Sequence, residues 1–416
     1  MAEQTEHSIN GGGLKFDYFS PNENHRFNVF ASAQHINRDS YYGPGDRDPL
    51  DAYGNTTDLN WMAGSQYVYS FGKCIFMPSD LTAGIEFNQD KLEDNMWGYN
   101  RTVDQKVNIG SAFLQNEWKN DHWGFLIGGR LDKHNLIGHV IFSPRANLRY
   151  NPTENINLRF SYSSGFRAPQ AFDEDLHVEN VGGNVAMVEL ADNLKEERSQ
   201  SLSASADIYH RFGAFQVNFL VEGFYTKLSD VFALTDGEVV DGILTRTRHN
   251  ASGAQVLGLT LEGKMAYLNK IQVQAGVTLQ QSHYSKPHIW NKEAPAVKKM
   301  MRTPNTYGYF TATYTPIKPL SIALSGTYTG SMLVPHEPVP GFLENPITVN
   351  TKDFFDIGLK AAYDFKLYKS MNLQLNAGIQ NIFNAYQDDF DKGADRDSGY
   401  IYGPSLPRSF FAGVKI

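Results

Sequence analysis

The sequence predicts an all-β fold, a transmembrane antiparallel β-barrel, from the period of its apolar residues, the length of its strands and the spacing of its connections. Apolar and polar residues alternate with period two in most segments, whereas helical periodicity is nearly absent. For example, Met371, Leu373 and Leu375 point to one face of a strand, while Asn372 and Gln374 point to the other. A wall that is apolar on one side and wet on the other has this pattern.

Strand length favours a membrane barrel over a soluble sandwich, which also alternates. The alternating segments run for about ten to fifteen residues, which is long for a soluble sheet and right for a tilted membrane-crossing strand. Tyr and Phe gather near the strand ends, as at Tyr307, Tyr309, Phe354 and Phe355, where aromatic girdles meet the membrane interfaces. Since lipid offers the backbone no hydrogen bonds, such strands can cross only as a closed barrel.

The connections between the predicted strands alternate between short and long. This asymmetry is typical of outer-membrane barrels, which have tight periplasmic turns and long extracellular loops. One outer connection, near 134–142, is an exception because it is brief. The short turns are near 21–24, 72–79, 120–122, 151–155, 211–213, 268–270, 316–319 and 366–370, and the long loops are near 37–58, 91–103, 165–196, 229–252, 285–304, 330–351 and 386–406.

About seventeen strands are predicted, the first near Leu14–Ser20 and the last at Pro407–Ile416. The chain then divides into a lead-in at residues 1–13, made flexible by Gly11–Gly13, and a partial barrel at residues 14–416. Both end strands descend toward the periplasm, so they would meet in parallel, whereas bacterial barrels are even-numbered and antiparallel. About five further strands in front would give 22, the number found in plugged outer-membrane transporters. We therefore expect a barrel that lacks about five strands.

The composition argues against several classes of function. The 416 residues include 36 Gly and 13 % aromatics, and the mean hydropathy of −0.41 suits a barrel wall better than a soluble core. The net charge of −8 argues against a nucleic-acid partner, which would need a basic surface. Cys74 is the only cysteine, so neither an internal disulfide nor a cysteine-based zinc site is expected. No apolar run is long enough for a transmembrane helix, and the N-terminus does not resemble a signal peptide.

Five segments carry recognisable motifs: Ser143-Pro-Arg-Ala-Asn-Leu-Arg-Tyr150, Phe160-Ser-Tyr-Ser-Ser-Gly-Phe-Arg-Ala-Pro169, Asp192-Asn-Leu-Lys-Glu-Glu-Arg-Ser199, Gly378-Ile-Gln-Asn-Ile-Phe-Asn384 and Gly403-Pro-Ser-Leu-Pro-Arg-Ser-Phe-Phe411. They resemble the barrel of TonB-dependent receptors, in particular those of Bacteroidetes-type bacteria. The resemblance covers almost the whole chain, in the order and spacing of the family. Two departures are Glu196, where proline is usual, and Ile416, where the last residue is usually aromatic.

The resemblance implies an outer-membrane receptor of a Gram-negative bacterium that actively takes up a scarce nutrient, with a ferric siderophore favoured over haem or cobalamin. Its partners would be outer-membrane lipid and an extracellular metal chelate or corrinoid, without a bound cofactor or enzymatic activity. Family members reach the TonB complex through a plug domain, and neither that plug nor the TonB-interacting segment is found in this sequence. The alternatives are a passive porin-like or structural barrel, or a truncated receptor without function.

Candidate ligand contacts lie in the predicted extracellular loops. Tyr41, Tyr42 and Arg47 can stack on or pair with an aromatic or anionic ligand, while interface tyrosines in a polar loop are the alternative. Arg167 lies in a family-like motif, where it has a role either in the barrel wall or in ligand contact.

Histidines and acidic residues in the same loops raise the question of metal binding. The histidines lack the spacing of a helical zinc motif, so solvated loop histidines are the alternative to a metal or haem contact. The last loop has enough carboxylates for calcium but lacks EF-hand spacing, so a plain acidic loop is the alternative. The candidates are His177, His283 and His336 for the first kind of site, and Asp391, Asp395 and Asp397 for calcium.

Overall fold

The computed structural model describes residues 2–43, 52–181, 184–368, 371–393, 395–404 and 406–416. Nearly all of this is strand, with short helical turns at α1 (Asp173–Leu176) and Trp97–Tyr99. No helix in the described part of the chain is long and apolar enough to cross a membrane. The strands are β1 (Ala2–Phe19), β2 (His25–Gly43), β3 (Tyr53–Cys74), β4 (Met77–Met96), β5 (Arg101–Lys119), β6 (Trp123–His134), β7 (Ile141–Thr153), β8 (Ile156–Arg167), β9 (Glu179–Val181), β10 (Asn184–Leu190), β11 (Glu197–Phe212), β12 (Phe215–Ser229), β13 (Phe232–Val240), β14 (Ile243–Asn250), β15 (Ala254–Tyr267), β16 (Ile271–His288), β17 (Val297–Lys299), β18 (Thr306–Ile317), β19 (Leu320–Thr329), β20 (Leu333–His336), β21 (Ile347–Asn350), β22 (Phe354–Tyr368), β23 (Met371–Gln380) and β24 (Ser409–Lys415).

The long strands form one antiparallel sheet, in which each long strand pairs with the next one along the chain. Among the described residues this sheet contains 18 strands, of which the short β17 pairs only with β16, so the wall itself has seventeen (18 less one). Four connections skip smaller strands, because β8 pairs with β11, β12 with β15, β16 with β18, and β19 with β22. The prediction of an antiparallel barrel with about seventeen strands is confirmed.

The outer face of this sheet is apolar, as β1 and β2 illustrate. Leu14, Phe16 and Tyr18 of β1 are 84 %, 62 % and 47 % exposed. Phe16 and Tyr18 lie opposite Val29 and Phe27 of β2 in the antiparallel register. Because residues in register share a face, these side chains form a continuous apolar surface that suits contact with lipid. The intervening residues point to the opposite side, which we call the inner face.

Two hairpins extend further than the sequence predicts. The polar segments 37–58 and 91–103 are expected to be long loops, but β2 stays paired with β3 as far as Tyr41 opposite Tyr53. Likewise, β4 and β5 remain paired up to the short turn at Trp97–Tyr99. Polar side chains do not prevent a ladder of backbone hydrogen bonds, so these strands continue beyond the apolar band.

The structure corrects the expectation of a flexible lead-in at residues 1–13. Residues 2–13 form the first part of β1 and pair with β2 along their whole length. A Cβ added at Gly11 would lie 3.3 Å from the carbonyl oxygen of Ala33, and one at Gly13 would lie 3.2 Å from that of Ala31. These glycines therefore allow a close approach of two paired strands.

The long connections after β8 fold together at one end of the barrel into a unit that we call the loop layer. It consists of the described residues within 168–196, 230–253, 289–305, 330–353 and 381–408. Its largest element is a four-stranded sheet in the order β13, β14, β10, β9, in which β10 and β14 run parallel. A second small sheet joins β20 and β21. Because β10 and β14 belong to different connections, the loop layer is a folded unit and not a set of separate loops.

Candidate functional site

Two arginines and a buried carboxylate hold the loop layer on the inner face of the barrel. Asp94 is fully buried, with Arg101 Nη2 at 2.8 Å and Arg38 Nη2 at 3.7 Å from its carboxylate oxygens. Arg101 also donates to the carbonyl oxygen of Leu176 at 2.8 Å, and Arg38 donates to the carboxylate of Asp173 at 2.8 Å. Since Asp173 and Leu176 are the two ends of α1, this network clamps α1 against strands β2, β4 and β5.

The structure places Tyr42, a predicted ligand contact, in an apolar core between β2 and the loop layer. Tyr42 is 2 % exposed and packs in one apolar cluster with Met96 and Val178. The ring of His177, another predicted contact, meets the ring of Tyr42 edge-on at a centroid distance of 5.4 Å. Tyr42 therefore supports the position of His177, which reaches the cavities described below.

Three other candidate residues lie apart from these cavities or outside the described chain. Tyr41 points to the opposite face of β2 from Tyr42, as adjacent strand residues do, and packs on Tyr53 at 5.0 Å between ring centroids. Arg167, the last residue of β8, forms an ion pair with Glu174 of the loop layer at 2.6 Å. Arg47 lies outside the described residues.

A first cavity, of about 360 Å³, brings together residues from connections far apart in the sequence. His177, Asp391 and Asp397 line it. His336 does not line it but contacts Asp391, with Nε2 at 2.9 Å from the carboxylate oxygen Oδ2. The His336 ring also stacks on the ring of Tyr400 at a centroid distance of 3.7 Å. The loop layer thus gathers four of the candidates that the sequence analysis names separately.

A second cavity, of about 330 Å³, adjoins the first, and we call it the Trp290 cavity. Glu179 and Asp397 line both cavities, so they form the shared boundary. Aromatic and carboxylate side chains dominate its wall. They include Phe232, Tyr284, Trp290, Glu179, Asp236 and Glu337.

Arg246 binds three carboxylates at the edge of the Trp290 cavity. Its guanidinium lies 2.7 Å from Glu179 Oε2, 3.0 Å from Asp236 Oδ1 and 3.2 Å from Glu337 Oε1. Asn291 donates to the other oxygen of Glu337 at 2.9 Å. These residues come from four different connections, so Arg246 ties most of the loop layer together.

One guanidinium cannot neutralise three carboxylates, and the electrostatics of the cluster reflect this. Burial raises the pKa of Glu337 to about 7, and the nearby negative charge of Asp236 acts in the same direction. Burial also raises the pKa of Asp397, which accepts a hydrogen bond from the backbone N–H of Glu337 at 2.9 Å. The cluster therefore holds an excess of negative charge that protonation of Glu337 partly relieves.

A third cavity, of about 240 Å³, shares Glu179 and His177 with the first cavity. Arg248 lines it and is itself paired, with Glu174 at 3.2 Å and with Asp175. The cavity therefore adds no unbalanced positive charge to the loop layer.

The carboxylates of the predicted calcium site do not converge on one point. Asp397 accepts hydrogen bonds from the backbone N–H groups of Glu337 and Gly399 at 2.9 and 2.8 Å. Asp391 accepts from the backbone N–H of Asp397 at 3.1 Å, and Asp395 is exposed. No group of three or more His, Cys, Asp or Glu among the described residues could hold a metal ion. The calcium hypothesis gains no support from this geometry.

His283 also lies away from the Trp290 cavity. It belongs to β16 next to Tyr284, and Tyr284 lines the cavity. Because neighbouring strand residues point to opposite faces, the His283 side chain points away from it.

Four residues of this site were not predicted from the sequence, namely Glu179, Arg246, Trp290 and Glu337. The only sequence signal was the alternation Leu244-Thr-Arg-Thr-Arg248 inside a segment predicted to be a loop. That pattern indicates a strand, and β14 contains it.

The fold and its cavities define a class of protein, namely a membrane-type antiparallel β-barrel with a folded loop layer that contains ligand-sized cavities. Residues 3–382 match the family model described as TonB dependent receptor-like, beta-barrel. The chain therefore belongs to the family of TonB-dependent receptor-like β-barrels. No match is found among curated protein sequences.

Solved structures share this fold at low sequence identity. They include the siderophore receptor PirA from Acinetobacter baumannii (15 % identity, TM-score 0.72, 99 % of this chain and 62 % of that one). A mutant of the ferric enterobactin receptor PfeA from Pseudomonas aeruginosa has 16 % identity and a TM-score of 0.72, over 99 % of this chain and 61 % of that one. The ferric-catecholate import receptor Fiu from Escherichia coli has 14 % identity and a TM-score of 0.70, over 99 % and 64 %. This chain thus spans less than two thirds of the length of each.

Proposed function

We propose that this chain is the ligand-capturing barrel of an outer-membrane uptake receptor, with a ferric siderophore as the favoured ligand and haem or cobalamin as the other options. Its family supports a receptor, and the names of the similar structures support a siderophore. In this family the energy for uptake comes from the TonB complex acting through a plug domain. The role is binding and uptake, without bond-breaking chemistry.

The convergence of five connections on one cluster carries this proposal. Arg246 and Asp236, Glu179, Asn291, Glu337 and Asp397 come from the connections β12–β15, β8–β11, β16–β18, β19–β22 and β23–β24, respectively. A passive channel needs only an open lumen, whereas this loop layer is tied together around cavities. Such cavities are suited to retaining a ligand before it is transported.

Binding and uptake measurements test the proposal. Ferric siderophores, haem and cobalamin are titrated into the purified chain, and tryptophan fluorescence reports saturable binding. Uptake of radiolabelled iron is then compared in cells with and without the gene, before and after a protonophore is added. We expect one ligand class to bind saturably and its uptake to require both the gene and the proton gradient.

Planar-bilayer recordings and cell fractionation are the measurements that can contradict the proposal. Steady conductance by the purified chain, together with entry of unrelated small solutes without energy, would support a passive porin-like barrel instead. Recovery of the protein outside the outer-membrane fraction would contradict the proposed location.

A further inference from the structure

We propose that the Trp290 cavity selects a metal chelate of zero or positive net charge that presents a hydrogen-bond acceptor to Trp290. A ferric chelate of the hydroxamate kind fits this description, and a ferric catecholate does not. The inference rests on the proposed function, since it names the ligand class of the same receptor.

The first observation is an unpartnered donor in the cavity wall. Trp290 lines the cavity and is only 7 % exposed. Its indole Nε1–H has no hydrogen-bond partner among the described residues. Because a buried N–H without a partner is unfavourable, an acceptor atom on a bound ligand would stabilise both the ligand and the cavity.

The second observation is the charge of the cavity wall. Four carboxylates line it, against two guanidiniums, those of Arg246 and Arg302. Arg246 already faces three of these carboxylates at 3.2 Å or less. Arg302 donates to the backbone carbonyls of Ile401 and Gly399, which are neutral, so its charge offsets only one of the four carboxylates. Even with Glu337 protonated, the wall holds three carboxylates against two guanidiniums, so it repels anions and attracts cations.

The wall of the first cavity also carries an excess of negative charge. Glu3, Glu179, Asp391 and Asp397 line it together with one guanidinium, that of Arg396. Since Glu179 and Asp397 are common to both cavities, a ligand larger than either one would extend from the first into the second without leaving the acidic surroundings.

The aromatic side chains complete the selection. Phe232, Tyr284 and Trp290 give the Trp290 cavity apolar surface beside its carboxylates. Aromatic faces attract cations such as an ammonium group and also pack against methylene chains. Both groups occur in linear trihydroxamates that end in an amine.

The charges of the two chelate kinds follow from their ligands. Each hydroxamate brings a single negative charge, so three of them neutralise ferric iron, and a pendant ammonium group makes the complex positive. Each catecholate brings two, so a tris-catecholate complex is triply negative. The two kinds of chelate contain the same metal but differ in net charge, so they test the sign of the charge in the cavity wall.

The experiment measures dissociation constants on the purified full chain with three probes. They are the ferric trihydroxamate with a pendant ammonium, the same chelate with the amine acetylated, and ferric tris-catecholate. We expect the first two to bind at least about tenfold more tightly than the third, because like charges across an interface are strongly unfavourable. A tighter tris-catecholate complex would overturn the inference.

Two variants assign the effect to the cavity. Trp290→Phe keeps the aromatic surface and removes the N–H, so both hydroxamate complexes should weaken by about fivefold. Trp97→Phe is the matched control, since Trp97 is 66 % exposed, and it should leave binding unchanged. Equal affinities for Trp290→Phe and the parent chain would contradict the role of the indole.

Glu179→Gln separates a charge effect from a folding defect. Removing one negative charge should weaken the positive chelate and strengthen the tris-catecholate, whereas misfolding weakens both. If no chelate of either kind binds or is taken up, the proposed function itself fails. If chelates bind without preference for zero or positive charge, only the present inference fails.

Discussion

A contact of 3.2 Å joins Arg246 Nη2 on β14 to Glu337 Oε1 in the connection that follows β20. Arg246 is 13 % and Glu337 9 % exposed at the side chain, so the pair lies largely out of solvent. Two further carboxylates, Glu179 and Asp236, contact the same guanidinium. A single cation therefore holds four segments of the loop layer, and its removal leaves three acids facing one another.

Replacement of Arg246 by Gln should loosen the loop layer without unfolding the barrel. Breaking a buried ion pair by removing one partner costs about 3–5 kcal/mol, because the other charge stays buried. We expect faster hydrogen exchange in β13, β14 and β20, with little change in β1–β8, measured by mass spectrometry.

Arg211→Gln is the matched control for Arg246→Gln. Arg211 lies at an exposed turn and donates to the carbonyl of Gly213 at 3.2 Å. Its loss should leave the exchange of the loop layer as in the parent chain. Unchanged exchange in Arg246→Gln would show that the apolar packing alone holds the loop layer.

The loop layer should be more stable at mildly acidic pH than at alkaline pH. The folded-state pKa of Glu337 is raised from 4.5 to about 7. When the pKa of an acid is raised in the folded state, its protonation stabilises that state. This contribution is complete below about pH 4.5 and is lost as the pH rises through about 7. Limited proteolysis of the loop layer should therefore be slower at the acidic end of this window than above it.

Glu337→Gln tests the origin of that pH dependence. The amide resembles the protonated acid, so the variant should lose most of the change in proteolysis rate between the two ends of the window. The raised pKa of Asp397 acts in the same direction and accounts for a residual dependence. An unaltered pH profile in Glu337→Gln would assign the effect to another group.

The sequence predicted the barrel wall well because period-two alternation is a local signal. Each strand in the wall pairs with its neighbour along the chain, so strand count and direction follow from turns and loops. The loop layer depends instead on long-range pairing, such as Val185 of β10 beside Ile243 of β14 in a parallel register. The residues of β10 give no sign that they pair with β14, and the reverse is also true. For this reason, segments that were predicted to be loops contain strands.

The candidate residues show the same limit. His177, Asp391 and Asp397 were correctly placed in loops, but their gathering around one cavity depends on contacts between connections. Tyr42 is an aromatic residue in a predicted loop and was therefore predicted to contact a ligand. It is buried instead, because Val178 and Met96 pack on it. Burial of an aromatic residue in a loop layer is set by its partners, which sequence periodicity does not reveal.

Asp94→Asn should release α1 from the barrel wall. The buried carboxylate faces Arg38 and Arg101, and the amide would remove the carboxylate that Arg101 contacts, whereas Arg38 keeps its ion pair with Asp173. We expect a cost of about 3–5 kcal/mol to the closed loop layer, since the buried guanidinium of Arg101 loses its carboxylate partner. Hydrogen exchange should increase in α1, which both arginines contact.

Asp17→Asn is the control, because the Asp17–Lys15 pair is exposed and such pairs contribute only about 0–1 kcal/mol. Equal effects of the two substitutions would contradict a clamp at Asp94.

Phe16→Arg tests whether the outer face of β1 contacts lipid. Phe16 is 62 % exposed beside Leu14 and Tyr18, which point the same way. An arginine on the lipid face of a barrel costs about 2–4 kcal/mol at the membrane midplane and less near the interfaces. We therefore expect a lower folded fraction after reconstitution into lipid vesicles, measured by heat-modifiable mobility and urea titration.

Lys15→Gln changes the neighbouring inward position and should fold as the parent chain does. If Phe16→Arg also folds like the parent chain, this part of β1 lies outside the bilayer, because exposure to water would remove the cost.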